Sequence, residues 1–399
     1  MRLALIADTF PPLRNSGAVQ LRDLAREFAR QGHNLTVILP THELTGNKPY
    51  SLEIVDGVQI LRLRAPKTKD ISHLRRTLAE LAMPFAMLRS MRASPISLAK
   101  WDGVIWYSPS IFHAPLVNAL KKASGCRSYL IIRDIFPEWA VDMGLMGRGP
   151  TFRFFKAIAS HQYSVADVIG VQSEGNLQYF DRWHRKKNKI IEVLPNWLGP
   201  PGKSACPIDL SVTPLAGRTI YVYAGNMGVA QNMDLIINAA DILRNRTDVG
   251  FLMVGRGSER NRLESEARNR NLENVLFFDE IDPDAIPDLY RQCHVGIVSL
   301  DPRHKSHNIP GKFLTYMQCG LPVLANVNQG NDLAKMVRDS AVGEVSEGGD
   351  PEAFVEALNR LQVENIGSSP LAARCSKLFT DNFSATAAVD NIVERLNSN

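Results

Sequence analysis

The sequence predicts an α/β protein of two doubly wound parallel-sheet domains facing a central cleft. Three observations carry the prediction. Short apolar runs alternate with helical stretches over residues 1–195. A stretch rich in Pro and Gly interrupts that alternation at residues 196–217. The alternation then restarts at residue 219 and runs past residue 340. Alternating β and α elements with short apolar strands imply parallel sheets covered by helices on both faces. The length of 399 residues agrees, because a single compact core does not grow to that size.

Taken in order, strands are expected at residues 3–7, 34–39, 58–63, 103–107, 128–132, 168–171 and 190–193. Between the first two, Leu21, Leu24, Ala25 and Phe28 recur at helical spacing and mark a buried face, which Gly32 ends. Residues 71–92 mix Arg75, Arg76, Arg89 and Arg92 with Leu81, Met83, Phe85, Met87, Leu88 and Met91. This reads as a helical pair broken near Pro84. It is either a membrane-surface element or an ordinary amphipathic element with a solvated basic face. Asn196-Trp197-Leu198-Gly199-Pro200-Pro201-Gly202, with Pro207 and Pro214 beyond, reads as a linker. Strands resume at 219–224, 250–254, 275–278, 295–298, 323–325 and 343–345, and a helix carries Ile236, Ala239, Ala240 and Leu243 at i, i+3, i+4, i+7. The expected domains are 1–198, joined by a terminal helix at 385–399, and 218–384, with 199–217 as the connector. In such sheets ligands bind at the carboxyl ends of the strands.

Composition narrows the class. Apolar content of 45% and charged content of 22% are those of a globular protein. Five scattered cysteines without a CxxC pair argue against a disulfide framework or structural zinc and fit a reducing cytosol. The chain opens directly on a strand pattern, so no signal peptide is expected, and no apolar run is long enough to span a bilayer. A net charge of +5 permits contact with anionic lipid but does not suggest nucleic acid. His304 and His307 stand near Asp301 without a further ligand, so no metal is expected. No GxSxG or HExxH motif occurs.

Six loops at strand ends carry the chemistry. In Asp8 to Ala18, Ser16 and Gly17 open a helix whose backbone N–H groups suit an anion or a sugar hydroxyl; a plain turn and cap is the competing reading. Tyr107 and Ser108 stand where an acceptor contact competes with simple packing. Arg133, Asp134 and Glu138 gather charge at the end of an apolar strand. Such charge demands mutual pairing or a polar ligand. Gly225, Asn226 and Gly228, with Gln231 beyond, let backbone approach a phosphate closely. Arg256 lies within a GxG turn that suits a diphosphate or ribose. Finally, Asn308-Ile309-Pro310-Gly311-Lys312 leads into a short helix that Gly320 stops. A lysine at the positive end of a helix is unfavourable unless an anion is there.

These segments, in this order and spacing, resemble those of the retaining glycosyltransferases of family 4. The resemblance covers nearly the whole chain. It rests on the Pro11-Pro12…Gly17 loop, Val193-Leu194-Pro195-Asn196, Tyr223-Ala224-Gly225-Asn226-Met227-Gly228, Val254-Gly255-Arg256-Gly257 and Pro310-Gly311-Lys312…Tyr316-Met317-Gln318-Cys319-Gly320-Leu321-Pro322-Val323. It implies a GT-B fold of two Rossmann-like domains, the first for the acceptor and the second for a nucleotide sugar. The subgroup it looks most like makes bacterial surface polysaccharides and includes N-acetylfucosaminyl-type transferases. The implied reaction moves an N-acetylated hexosamine or deoxyhexosamine from a nucleoside diphosphate, UDP favoured, to a lipid-linked or polysaccharide acceptor. No metal or other cofactor is implied. The implied place is the cytoplasm, with peripheral contact on the inner membrane's cytoplasmic face.

The resemblance implies roles residue by residue. Gly17, Gly225, Asn226, Gly228, Gln231, Arg256, Asn308, Ile309, Pro310, Gly311 and Thr315 would bind the donor. Lys312 would stabilise the leaving diphosphate, Asp134 would orient acceptor or sugar or act as a base, and Glu138 would be its backup. Ser16, Tyr107, Ser108 and Arg133 would meet the acceptor. The sequence also departs from the family. The E-x7-E carboxylates are replaced by His307 and Thr315, Asn226 and Gln231 stand where Arg and Lys are usual, and Asp134 falls near the family's first-domain His. A sugar-nucleotide epimerase of the same architecture is the alternative enzyme. The lost carboxylates motivate a non-catalytic binding subunit as the other reading.

Overall fold

The computed structural model describes the chain except residues 14, 70, 143, 185–188, 302–308, 362–369 and 399. It divides into two compact units, Met1–Gly199 with Ala385–Asn399, and Pro200–Ser384.

The first unit carries strands β1 (Arg2–Ile6), β2 (Asn34–Thr41), β3 (Tyr50–Val55), β4 (Val58–Arg64), β5 (Gly103–Tyr107), β6 (Arg127–Ile131), β7 (Val168–Val171) and β8 (Ile190–Val193). Its helices are α1 (Ser16–Arg30), α2 (His73–Arg92), α3 (Ala114–Ser124), α4 (Glu138–Asp142), α5 (Pro150–Val165) and α6 (Asp181–His184). The sheet order is β3-β4-β2-β1-β5-β6-β7-β8. Every pair is parallel except β3 with β4. The central strand β1 is buried on both faces, as a parallel sheet between helix layers requires.

Every strand expected in this half is present, and β3 is an addition. It is the exposed antiparallel edge, closed by a turn at Asp56 (φ 53°) and Gly57 (φ 77°). Asp-Gly with both residues at positive φ is the preferred two-residue hairpin turn, so the signal was in the sequence. The helical pair expected near Pro84 is instead one continuous helix, α2, with Pro84 inside it. Met83, Met87 and Met91 are buried in the core on its inner face. That packing, at about 1.5–3 kcal/mol per side chain, outweighs the hydrogen bond that proline removes.

The second unit carries β9 (Thr219–Ala224), β10 (Val249–Val254), β11 (Val275–Phe278), β12 (Val295–Ser299), β13 (Val323–Val327) and β14 (Gly343–Glu347). Its helices are α7 (Asp234–Ile242), α8 (Arg260–Asn269), α9 (Ile286–Tyr290), α10 (Gly311–Gln318), α11 (Asp332–Asp339), α12 (Pro351–Arg360) and α13 (Pro370–Asn382). The six strands form one parallel sheet in the order β11-β10-β9-β12-β13-β14. Residues 200–217, read from sequence as a connector, pack onto this unit. The Cys206 amide donates to Asp288 at 2.7 Å, the Leu210 amide to Gln292 at 2.9 Å, and Leu215 is fully buried.

The last helix, α14 (Ala385–Asn397), belongs to the first unit. Val389, Ile392 and Leu396 enter its core beside Leu3 and Phe28. Gly103 has no Cβ because one would lie 2.7 Å from Leu396 Cδ1. Arg395 closes an ion pair with Glu192 at 2.6 Å.

Candidate active site

In the second unit, the chemistry gathers where β9 and β10 end and α10 begins. Gly225 takes φ 143°, and the loop after it crosses the Gly255–Gly257 turn. A Cβ on Gly255 would fall 2.1 Å from the Gly225 carbonyl oxygen, and one on Gly257 would fall 2.2 Å from that of Met227. The Met227 amide donates to the Arg256 carbonyl at 2.7 Å. The GxG signal is therefore explained by two loops in contact. The Arg256 side chain is 79% exposed and pairs with Glu280 at 3.2 Å. The structure thus engages the expected charge donor with a carboxylate instead.

Lys312 is the cation the structure does bring to the loop. It is half-buried in the first turn of α10. Its Nζ donates to Tyr223 Oη at 3.1 Å and sits 4.4 Å from that ring's centre. Tyr223 in turn donates to the Asn226 carbonyl at 2.6 Å. Among the described residues no carboxylate pairs with Lys312. Burial lowers its pKa to about 8. Burial also raises the Tyr223 phenol, which keeps it neutral and able to accept from the lysine. Gln231 folds back so that its Oε1 accepts from the Gly228 amide at 3.0 Å and from Asn226 Nδ2 at 3.3 Å. Among the described residues Thr315 reaches only the Gly311 carbonyl, at 3.5 Å, while Ile309 is buried and Pro310 is the N-cap. Among the described residues no side chain caps α10; the Phe313 amide donates to the Pro310 carbonyl at 3.0 Å, and the Gly311 and Lys312 N–H groups remain open to a ligand. Asn308 and His307 lie outside the described residues. In the sequence Tyr223 stands out only as part of a motif; its position just before the Gly225 loop is the signal for its role.

The first unit brings a second set together. Asp8 and Asp134, at the ends of β1 and β6, line one cavity of about 1000 Å³. No hydrogen bond or ion pair engages either carboxylate among the described residues. Burial raises the Asp134 carboxyl, and nearby Arg133 only partly offsets this. Within the electrostatic reach of Asp8, His113 is fully buried, and among the described residues neither its ring nitrogens nor Ser108 Oγ has a hydrogen-bond partner. Burial holds the His113 imidazole neutral against the charge of Asp8. Asp8 and His113 were missed as site residues, since nothing in their spacing links them before the sheet is folded.

Other expected members are otherwise engaged. Arg133 pairs with neither Asp134 nor Glu138. It donates to the carbonyls of Leu194 at 2.8 Å and Pro195 at 3.3 Å, and stacks 4.6 Å from the Trp197 ring. Its role here is to hold the segment after β8, because those carbonyls offer a buried guanidinium its nearest acceptors. Glu138 is paired with Lys156 rather than presented as a free carboxylate. Tyr107 is buried, donating to Gln20 Oε1 at 3.3 Å, and a Cβ on Gly17 would lie 3.2 Å from its hydroxyl. Gly17 thus serves close packing as well as the opening of α1. Ser16 is exposed at that helix start, while Asn15 caps it by accepting from the Ala18 amide at 2.8 Å.

Residues 218–363 match the family described as Glycosyl transferases group 1. Over those residues the second unit is similar to the group 1 glycosyl transferases. Over 216 residues the chain is 30% identical to the putative colanic acid biosynthesis glycosyl transferase WcaI of Escherichia coli (strain K12). That match covers 50% of this chain and spans about half, 51%, of the relative. The probable glycosyltransferase WbjE of Pseudomonas aeruginosa is 22% identical over 385 residues, 92% of both chains. Among solved structures, sucrose-phosphate synthase from Thermosynechococcus elongatus superposes with a TM-score of 0.68 at 16% identity, covering 99% of this chain and 98% of that one. Anabaena HepE, solved with UDP, gives 0.66 at 14% identity, covering 100% of each. The fold is the GT-B α/β fold with two parallel-sheet Rossmann-like domains, as the sequence led us to expect.

Proposed function

We propose that this protein is a retaining glycosyltransferase. It moves a sugar, an N-acetylated hexosamine or deoxyhexosamine, from a nucleoside diphosphate to a lipid-linked or polysaccharide acceptor. One observation carries the reading: Lys312, half-buried and, among the described residues, without a carboxylate partner or a side chain capping its helix, stands at the start of α10 beside the Gly225 loop. When the bond from the anomeric carbon to the diphosphate breaks, negative charge grows on the leaving oxygens. A preset ammonium and open helix N–H groups stabilise that charge without reorganisation. The acceptor hydroxyl attacks from the leaving-group side and passes its proton to the departing phosphate. Asp134 orients the acceptor or donor sugar, and no metal is needed. The UDP in the HepE complex supports UDP as the donor nucleotide. The name of the E. coli relative, a putative colanic acid biosynthesis glycosyl transferase, supports a polysaccharide product.

Calorimetry with UDP tests the reading. Lys312→Ala is expected to weaken binding by roughly tenfold or more, the loss of one charge-assisted contact of about 1.5–3 kcal/mol. Unchanged affinity in a folded variant would remove Lys312 from the site. Incubation of a bound UDP-sugar without acceptor separates the epimerase reading, since an epimerase converts the sugar and a transferase does not.

A further inference from the structure

The first unit exposes an unusual amount of large apolar surface around one cavity. On α2, Leu74 is 73% exposed, Leu78 59% and Phe85 62%. Their spacing of four and seven residues puts them on one stripe of the helix. Leu74 and Leu78 also line the 1000 Å³ cavity, as do Trp139 and Phe154, which are 42% and 44% exposed. Behind this ring the walls include Leu81, Ile111, Phe112 and Phe155. Exposed apolar surface rimmed by polar groups marks an interaction site. A cavity of this volume is large enough to bury most of a ligand of several hundred daltons.

The charges around the patch select the occupant. Arg75, Arg89 and Arg92 of α2 are exposed and make no ion pair among the described residues, and Arg148 and Arg153 beside the patch are the same. Unpaired arginines flanking an apolar helix stripe complement an anionic lipid surface. Inside, the unpaired carboxylates of Asp8 and Asp134 disfavour a buried anionic head and accept hydrogen bonds from hydroxyls.

We propose that the first unit docks on an anionic bilayer through the Leu74, Leu78 and Phe85 stripe, and that the cavity takes the hydrocarbon chain of a membrane lipid bearing a hydroxylated head. Naming that lipid as the acceptor rests on the glycosyltransferase reading; the docking itself does not.

Sedimentation with phosphatidylglycerol vesicles tests the docking face. The full chain is expected to sediment with them and to stay largely in solution with phosphatidylcholine vesicles. The triple variant Leu74→Ser, Leu78→Ser, Phe85→Ser is expected to lose about tenfold or more of that partitioning, as removing buried apolar area at an interface requires. Its thermal unfolding and UDP affinity are expected to stay unchanged. Vesicles with brominated acyl chains test the cavity. They are expected to quench a fluorescence component that Trp139→Phe abolishes. No sedimentation, sedimentation that survives the triple substitution, or absence of the Trp139 component overturns the proposal. A triple variant that turns a dimer into a monomer with vesicle binding intact assigns the patch to a second copy of the chain and overturns it too. None of these measurements uses a nucleotide sugar, so their failure leaves the transferase reading standing.

Discussion

Lys312 carries most of the proposed donor chemistry, and its environment gives that chemistry a pH signature. Burial lowers its pKa to about 8 in the free protein. A diphosphate binds the charged form and raises that pKa again. Below pH 8 the ammonium is already protonated, so affinity is flat. Above pH 8 binding must take up a proton, so affinity falls by about tenfold per pH unit until the pKa of the complex is reached. Calorimetry between pH 7 and pH 10, values about either side of that midpoint, is expected to show this decline. Lys312→Arg, charged throughout, is expected to abolish it. A flat profile for the native chain would show that the ammonium does not contact the bound anion.

At the scale of elements, the two glycine loops pack as one unit of the proposed donor site. Gly257 has φ 148° and a carbonyl 2.2 Å from where its Cβ would be. Gly257→Ala is therefore expected to destabilise the second unit by about 2–3 kcal/mol, by strain and displacement together. Urea unfolding checks this, and UDP affinity is expected to fall in the same variant because Met227 must move. Sequence made the parallel strands legible because each is a short apolar run with its own helix. It left α2 misread, since Pro84 signals a break locally while the methionines that override it act only after folding. It also left β3 unread despite the Asp56-Gly57 turn and the alternation of Tyr50, Leu52 and Ile54, because a short, largely exposed edge strand lacks the continuous apolar run that marks the others. The site followed the same pattern. Gly225, Asn226, Gly228 and Lys312 were legible as loop and helix-start chemistry. The engagement of Arg133 by the Leu194 and Pro195 carbonyls was not, because those partners lie about sixty residues away in the chain.

For the whole molecule, the informative feature is that the first unit is discontinuous. Val389, Ile392 and Leu396 of α14 are buried against a sheet made almost 200 residues earlier. Deleting residues 385–399 is expected to remove about 5 kcal/mol or more from the first unit, comparable to the stability of an ordinary domain. Scanning calorimetry is expected to lose the first unit's transition and keep that of residues 200–384. Survival of both transitions would mean that α14 is dispensable packing. The same arrangement sets an order of events during synthesis. Residues 200–384 must be translated after the first sheet is made and before its last helix exists, an interval of roughly 10–40 s at typical elongation rates. Through that interval the hydrophobic face that will receive α14 is bare. A newborn chain is therefore expected to hold that face open to other partners until α14 emerges.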